Sequence, residues 1–185
     1  MQILNMQTLT EPQRIQAAQM LTDELPLGWA SLADAMDEIA ECVDTTHRDG
    51  DGESLFLAAV DSGDVLGWIG MLPSYGGKVY EIHPLVVRGD MQGQGIGAKL
   101  VQAIEQAAKE RGGLTLQLGA DDEAPGGETS LANVDLYDDL PRRIQEFDPG
   151  THQAKFYLKL GFKIVGVMPD ANGVGRPDIY MAKRL

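Results

Sequence analysis

The chain is short of cysteine, of basic residues and of long apolar runs, and each shortage removes a class of protein. Its 185 residues include one cysteine, Cys42, so no internal disulfide can form. No apolar stretch approaches the ~18 residues of a membrane-spanning helix, so no membrane partner is expected. No basic segment followed by an apolar run opens the sequence, which predicts no signal peptide. Lys and Arg number 15 against 28 Asp and Glu, a formal net charge of −13. Nucleic acid is not expected to bind so acidic a chain. No metal site is expected either. A cytoplasmic enzyme or binding protein remains, and the length and 43% hydrophobic content suit one domain over 1–185. The acidity reads either as solubility or as attraction for a cationic substrate.

Hydrophobic periodicity divides the chain into alternating elements. A strand is expected over 2–9. A helix is expected over 11–25, capped by Thr10 with Pro12 in its first turn and Ile15, Ala18, Met20 and Leu21 on its apolar face. After the turn Pro26-Leu27-Gly28-Trp29, Ser31 caps a second helix running to Val43. Strands follow over 55–60 and 65–72, joined by the hairpin turn Asp61-Ser62-Gly63-Asp64. Another strand covers 78–87, and Pro84 inside it predicts a break or bulge. A helix over 95–111 carries the stripe Ile96, Leu100, Val101, Ile104 and Ala108, and a strand covers 114–118. Residues 120–150 are acidic, turn-rich and long for a connection. Short helical pieces split by Pro141 are expected within 131–147. A helix over 151–160 and strands over 162–167 and 178–183 complete one mixed α/β sandwich.

The junction after the strand at 78–87 carries most information. Val86-Val87 ends an apolar run, and Gln92-Gly93-Gln94-Gly95-Ile96-Gly97-Ala98-Lys99 leads directly into a helix. Glycines admit close approach of an anion, and the first N–H groups of a helix point outward unpaired. A phosphate seat is expected. The spacing also fits the loose dinucleotide pattern G-x-G-x-x-A, with Asp121 placed as a ribose ligand would be. Three strands precede it, however, and too little chain follows for a doubly wound fold. A tight strand–helix turn without a ligand is the remaining alternative.

Gln92-x-x-Gly95-x-Gly97 resembles the acetyl-CoA signature of the GNAT superfamily of N-acetyltransferases. Phe156-Tyr157-Leu158-Lys159-Leu160-Gly161-Phe162 resembles a second segment of that family, in the right order. Glu81-Ile82-His83-Pro84-Leu85-Val86-Val87, Asp135-Leu136-Tyr137, Lys163-Ile164-Val165-Gly166-Val167, Pro169-Asp170-Ala171-Asn172-Gly173 and Pro177-Asp178-Ile179-Tyr180-Met181-Ala182-Lys183 are similar to one subgroup, the aminoglycoside 6'-N-acetyltransferases of the enterococcal type. The first third matches only loosely.

The resemblance implies a GNAT fold, a mixed, mostly antiparallel central sheet with a splayed strand pair and helices on both faces. It implies acetyl-CoA as acetyl donor, a polycationic aminoglycoside as acceptor, and a homodimer. Main-chain groups of Leu85, Val86 and Val87 would meet the thioester and pantetheine. The N–H groups of 92–98 would hold the pyrophosphate, with Gln94 and Lys99 alongside. Glu81 would orient or deprotonate the amine, with His83 beside it, and Tyr157 would protonate the leaving thiolate. Phe156, its neighbour, reads as the packing residue. Trp29 and Tyr75 would wall the drug site, and Asp121, Asp122, Asp135 and Asp178 would hold its ammonium groups. One departure stands out. Many relatives carry an asparagine before the second segment, where this chain has Asp148-Pro149-Gly150-Thr151-His152. Acceptors other than an aminoglycoside (a polyamine, a peptide, a small metabolite) and a non-catalytic acyl-CoA-binding module are the alternatives.

Overall fold

The computed structural model describes residues 1–25, 27–44 and 52–185; Pro26 of the expected turn lies outside them. The chain forms two compact units, Met1–Leu116 with Leu185, and Gln117–Arg184.

In the first unit, strands β1 (Gln2–Asn5), β2 (Leu55–Asp61), β3 (Asp64–Ser74) and β4 (Val79–Val87) pair in sequence order, all antiparallel. Helices α1 (Glu11–Glu24) and α2 (Leu32–Val43) precede β2, and α3 (Ile96–Glu110) follows β4. β1 is shorter than the expected strand because Asn5 accepts from the Gln7 N–H and starts a 3-10 turn at Met6–Thr8. Gln13 accepts from the Thr10 N–H at 3.0 Å, and Ser31 accepts from the Asp34 N–H at 3.2 Å, so both helices start where their capping residues predict. The apolar face of α1 is Ala17, Ala18, Met20 and Leu21, whereas Ile15, expected among them, is 43% exposed.

β3 is buried almost without interruption, since helices cover both of its faces. On one face Trp68 and Val65 pack with Ala17, Leu21, Ala35 and Ile39 of α1 and α2. The Trp68 indole donates to the Ala17 carbonyl at 3.1 Å. The stripe of α3 covers the other face, with Ile96, Leu100, Val101, Ile104 and Ala108 all buried, as the sequence predicts. The β2–β3 turn has positive φ at Ser62 (52°) and Gly63 (97°), the backbone that two-residue hairpin loops favour.

The bulge expected at Pro84 is present. Ile69 pairs with Leu85 and Met71 with Ile82, so Gly70 alone faces two residues, His83 and Pro84. The His83–Pro84 peptide bond is cis. The bulge brings the His83 carbonyl onto Gly70, where a Cβ would collide with that oxygen and lie 2.5 Å from the Phe56 ring.

The second unit holds most of β5 (Thr115–Asp121), with β7 (Asp178–Arg184) between β5 and β6 (Lys163–Met168). β6 and β7 are antiparallel, with a bulge that leaves Val165 facing outward. Within 131–147 there is one helix, α4 (Leu140–Gln145), and Pro141 opens it instead of splitting it. A first-turn proline lacks only an N–H that the helix leaves unpaired. α5 (Ala154–Lys159) starts three residues later than expected, because Pro149 and His152 form turns before it.

Gly70→Ala is expected to destabilise the protein by about 1–3 kcal/mol, since a methyl group there forces backbone or ring to move. Gly126→Ala, where an added Cβ meets nothing within 4 Å, is expected to stay within about 0.5 kcal/mol of the parent. Urea unfolding of both variants checks the pair.

Candidate functional site

The loop from β4 to α3 leaves a run of main-chain donors open. Arg88 N–H still bonds to the Leu66 carbonyl at 3.0 Å, continuing the sheet. Met91 and Gln92 then close short turns onto Arg88 (2.8 Å) and Gly89 (3.3 Å). The Gln92 N–H, expected at the phosphate, is therefore engaged within the loop. From Gly93 on, the pattern changes. No acceptor among the described residues takes the N–H groups of 93–98, and the next main-chain bond is Lys99 N–H to Gly95 at 3.2 Å.

Two glycines shape this run. Gly93 and Gly95 have φ of 73° and 81°, and the space where each Cβ would stand is open. A side chain there would be strained and would fill the mouth of the cradle. Gly95 is the N-cap of α3, so the helix dipole adds to the six open donors. An anion seated there meets neutral dipoles, which is how so acidic a chain can hold a pyrophosphate. Gln94 and Lys99 are exposed beside the cradle, and the Gln94 amide donates to the Asp90 carbonyl at 3.3 Å.

Burial alternates along β4. Tyr80, Ile82, Pro84 and Val86 are buried, while Glu81, His83, Leu85 and Val87 keep solvent contact. Glu81 pairs with Leu72 just before the bulge, and Leu85 is the first residue after it. The Trp29 ring lies 6.2 Å from the His83 ring at 43°. Trp29 itself packs against the core formed by α1, α2 and β3. The structure thus joins Trp29 to His83. Tyr75 sits at the β3–β4 turn with φ 51° and is 77% exposed.

In the second unit Tyr157 is 6% exposed, stacked edge-on between Phe156 (5.0 Å) and Phe162 (5.6 Å). Phe156, expected to be the packing residue, is the more exposed of the two neighbours. No acceptor or donor among the described residues engages the Tyr157 hydroxyl, and burial pushes its ionisation well above the ordinary phenol range. It stays protonated across the neutral range.

The four aspartates expected to hold the substrate diverge. Asp122 is 0% exposed, and its carboxylate accepts from the Glu128 and Thr129 N–H groups, both at 2.8 Å. It folds the loop after β5 and offers nothing to a ligand, which corrects its expected role. Asp135 is exposed and accepts from the Tyr137 N–H at 2.9 Å. Asp178 rests its carboxylate on Gly119, where a Cβ would come within 2.9 Å of both oxygens. Asp121 accepts from the Asn172 amide at 2.6 Å, and its carbonyl meets His152 Nε2 at 2.9 Å. His152 Nδ1 accepts from the Ala154 N–H, so the ring carries a proton on Nε2, where it donates to the Asp121 carbonyl. Glu123 beside it has its carboxyl raised by burial and by the charge of Asp121, against the pull of Arg176. Asn172, Arg176 and Glu123 were not foreseen. Only loop closure brings them to the end of β5, and no spacing signals that.

Among the described residues no group of His, Cys, Asp and Glu is arranged to hold a metal, and no helix is long and apolar enough to cross a membrane. A family model described as acetyltransferase (GNAT) family matches residues 15–125. No curated protein sequence matches significantly. Among solved structures, an aminoglycoside 6'-N-acetyltransferase complexed with coenzyme A is 34% identical. The match covers 100% of this chain and 97% of that one with a TM-score of 0.89. The aminoglycoside 6'-N-acetyltransferase from Enterococcus faecium gives 34% identity, the same coverage and a TM-score of 0.87. An aminoglycoside 6'-acetyltransferase type Ii gives 31%, again with 100% and 97% covered, at 0.74. Together with a donor-lined cradle at the start of α3, these likenesses establish that the chain belongs to the acetyltransferase (GNAT) family.

Proposed function

We propose that this protein is an aminoglycoside 6'-N-acetyltransferase that uses acetyl-CoA and protects its host against the drug. The observation that carries this reading is the full-length likeness, at 34% identity, to an aminoglycoside 6'-N-acetyltransferase complexed with coenzyme A. The six open N–H groups of 93–98 support it, because they suit a pyrophosphate and the open space beside Gly93 and Gly95 leaves room for one. We further infer a cytoplasmic homodimer. Val165 and Met168 on β6, with Val174 nearby in sequence, give the apolar exposure that a partner copy would cover.

Acetyl-CoA supplies a thioester carbonyl that an amine can attack, and every other step falls to the chain. In this reading the cradle fixes the phosphates, and main-chain groups of Val86 and Val87 align the pantetheine. The Leu85 N–H, first after the bulge, faces the thioester oxygen. An ammonium has no lone pair to attack with, so a proton must leave first. Glu81, half-buried on β4, is the proposed acceptor of that proton, directly or through water. His83 and Trp29 form one wall and Tyr75 another. Asp121, Asp135 and Asp178 are the proposed partners of the other ammonium groups. Tyr157 is the proposed donor to the departing sulfur. Burial of its side chain keeps the hydroxyl protonated at neutral pH, and no group among the described residues competes for that proton.

Release of free CoA, measured over kanamycin, a 6'-hydroxyl analogue and spermidine, tests the reading. Turnover is expected with kanamycin alone, because one pocket aligns one nitrogen with the thioester. Equal turnover of spermidine would move the assignment to a general amine acetyltransferase.

Acetyl-CoA is expected to raise the melting temperature in proportion to ln(1 + [L]/Kd), and NADH to leave it unchanged. Gly95→Val is expected to abolish that rise and to cost about 1–3 kcal/mol of stability through its positive φ. Differential scanning fluorimetry of both proteins, with and without ligand, measures the two effects separately.

Glu81→Ala is expected to damage turnover while acetyl-CoA still stabilises the variant. Tyr157→Phe keeps the stacked ring and is expected to slow acetyl transfer by up to ~10²-fold with little loss of drug affinity. Single-turnover kinetics isolates the chemical step from product release. Parent rates in both variants would reduce the two residues to packing groups.

A further inference from the structure

The entry to the cradle is held from outside by one carboxylate. Glu24, the last residue of α1, accepts from the Gly89 N–H at 2.7 Å through Oε1 and from Gln92 Nε2 at 3.2 Å through Oε2. The Gln92 amide also donates to the Val87 carbonyl at 3.0 Å. Glu24 and Gln92 thus clip the end of β4, the 3-10 turn at Gly89–Met91 and the end of α1 together, immediately before the open donors begin. Gly89 is shaped to the contact, since a Cβ there would stand 2.8 Å from Glu24 Oε1.

No basic side chain among the described residues pairs with Glu24, so these N–H groups are what its carboxylate answers to. An anion beside a seat for another anion opposes binding by repulsion. Its contribution must therefore come from ordering the loop. Arg88 is tied to the sheet through its N–H bond to Leu66, but beyond it the remaining bonds of 89–92 are local and exposed, namely two turn bonds, the Arg88–Asp90 pair at 2.7 Å and the Gln94 amide on the Asp90 carbonyl at 3.3 Å. Exposed local bonds of this kind hold a loop weakly.

We propose that Glu24 is a positioning residue for the acetyl donor. It fixes 89–92 so that the N–H groups of 93–98 converge before the donor arrives. The proposal rests on the function proposed above, and it assigns to α1 a part in donor binding. Preorganisation of this kind appears in affinity for the held ligand and leaves the chemical step alone.

The test measures steady-state kinetics with acetyl-CoA and kanamycin for Glu24→Ala, Glu24→Gln and Gly89→Ala. The KM for acetyl-CoA is expected to rise about tenfold in Glu24→Ala, less than two bonds to a charged acceptor contribute in full, because water replaces them at this exposed loop. The kcat at saturating acetyl-CoA and the KM for kanamycin are expected to stay within about twofold of the parent. Gly89→Ala leaves Glu24 in the chain but displaces its carboxylate, and it is expected to reproduce the rise. Glu24→Gln keeps an acceptor for the Gly89 N–H and is expected to return the KM to within about threefold of the parent. Melting curves without ligand show which variants fold, and Gly89→Ala carries the test if Glu24→Ala does not. An unchanged or lower KM for acetyl-CoA overturns the proposal, and so does a parallel loss in kcat and kanamycin KM. A parent protein that neither turns over nor is stabilised by acetyl-CoA brings down the proposed function and this inference with it. A parent that binds acetyl-CoA, with variants that bind it equally well, brings down this inference alone.

Discussion

The first unit is organised around a main chain that turns from a strand into a helix without closing its own hydrogen bonds. Six successive N–H groups between β4 and the body of α3 lack acceptors among the described residues. Such a run survives only where solvent or a ligand meets it, and only if the surroundings hold the loop open. The surroundings comply in three ways. The buried stripe of α3 anchors the helix on the sheet, β4 stays paired with β3 up to Val87, and Glu24 pins the entry.

The second unit solves the opposite problem. Its long loops are closed by side chains that supply acceptors to main-chain N–H groups. Asp122 takes two such groups, Asp148 takes the Gly150 N–H, and Asp170 takes the Gly175 N–H at 2.7 Å. Gly175 in turn lends its carbonyl to the Asn133 N–H. Much of the acidity of this segment is therefore engaged in folding loops and is not displayed as a field. The distinction matters for any cationic partner, which meets only the carboxylates left over.

The elements legible in the sequence were those governed by local rules. The stripe of α3, the caps at Thr10 and Ser31, the turn at Ser62-Gly63 and the bulge at Pro84 each follow from a few adjacent residues. The cradle was legible for the same reason, since glycine spacing and a helix start are local. What could not be read needs tertiary partners. Gln92 looked like a phosphate donor, yet its N–H closes a turn and its side chain reaches Glu24, 68 positions away. Asp122 looked like a surface ligand because nothing in the sequence reveals that it turns inward to meet residues 128 and 129. Phe156 and Tyr157 are adjacent aromatics, and only the packing of Phe162 decides which of them is covered.

The cradle is made of main-chain donors, and this bears on how its sequence can drift. A seat built from arginines fails when one of them is replaced. Here the donors belong to every amino acid except proline, so Gln94 and Ala98 can change identity while their N–H groups stay in place. Tolerance narrows at Gly93 and Gly95, where a positive φ strains any side chain. The recognisable pattern of glycines is thus the residue of a negative selection. It marks the places where a side chain is strained, while the open donors beside them leave no trace in the alphabet.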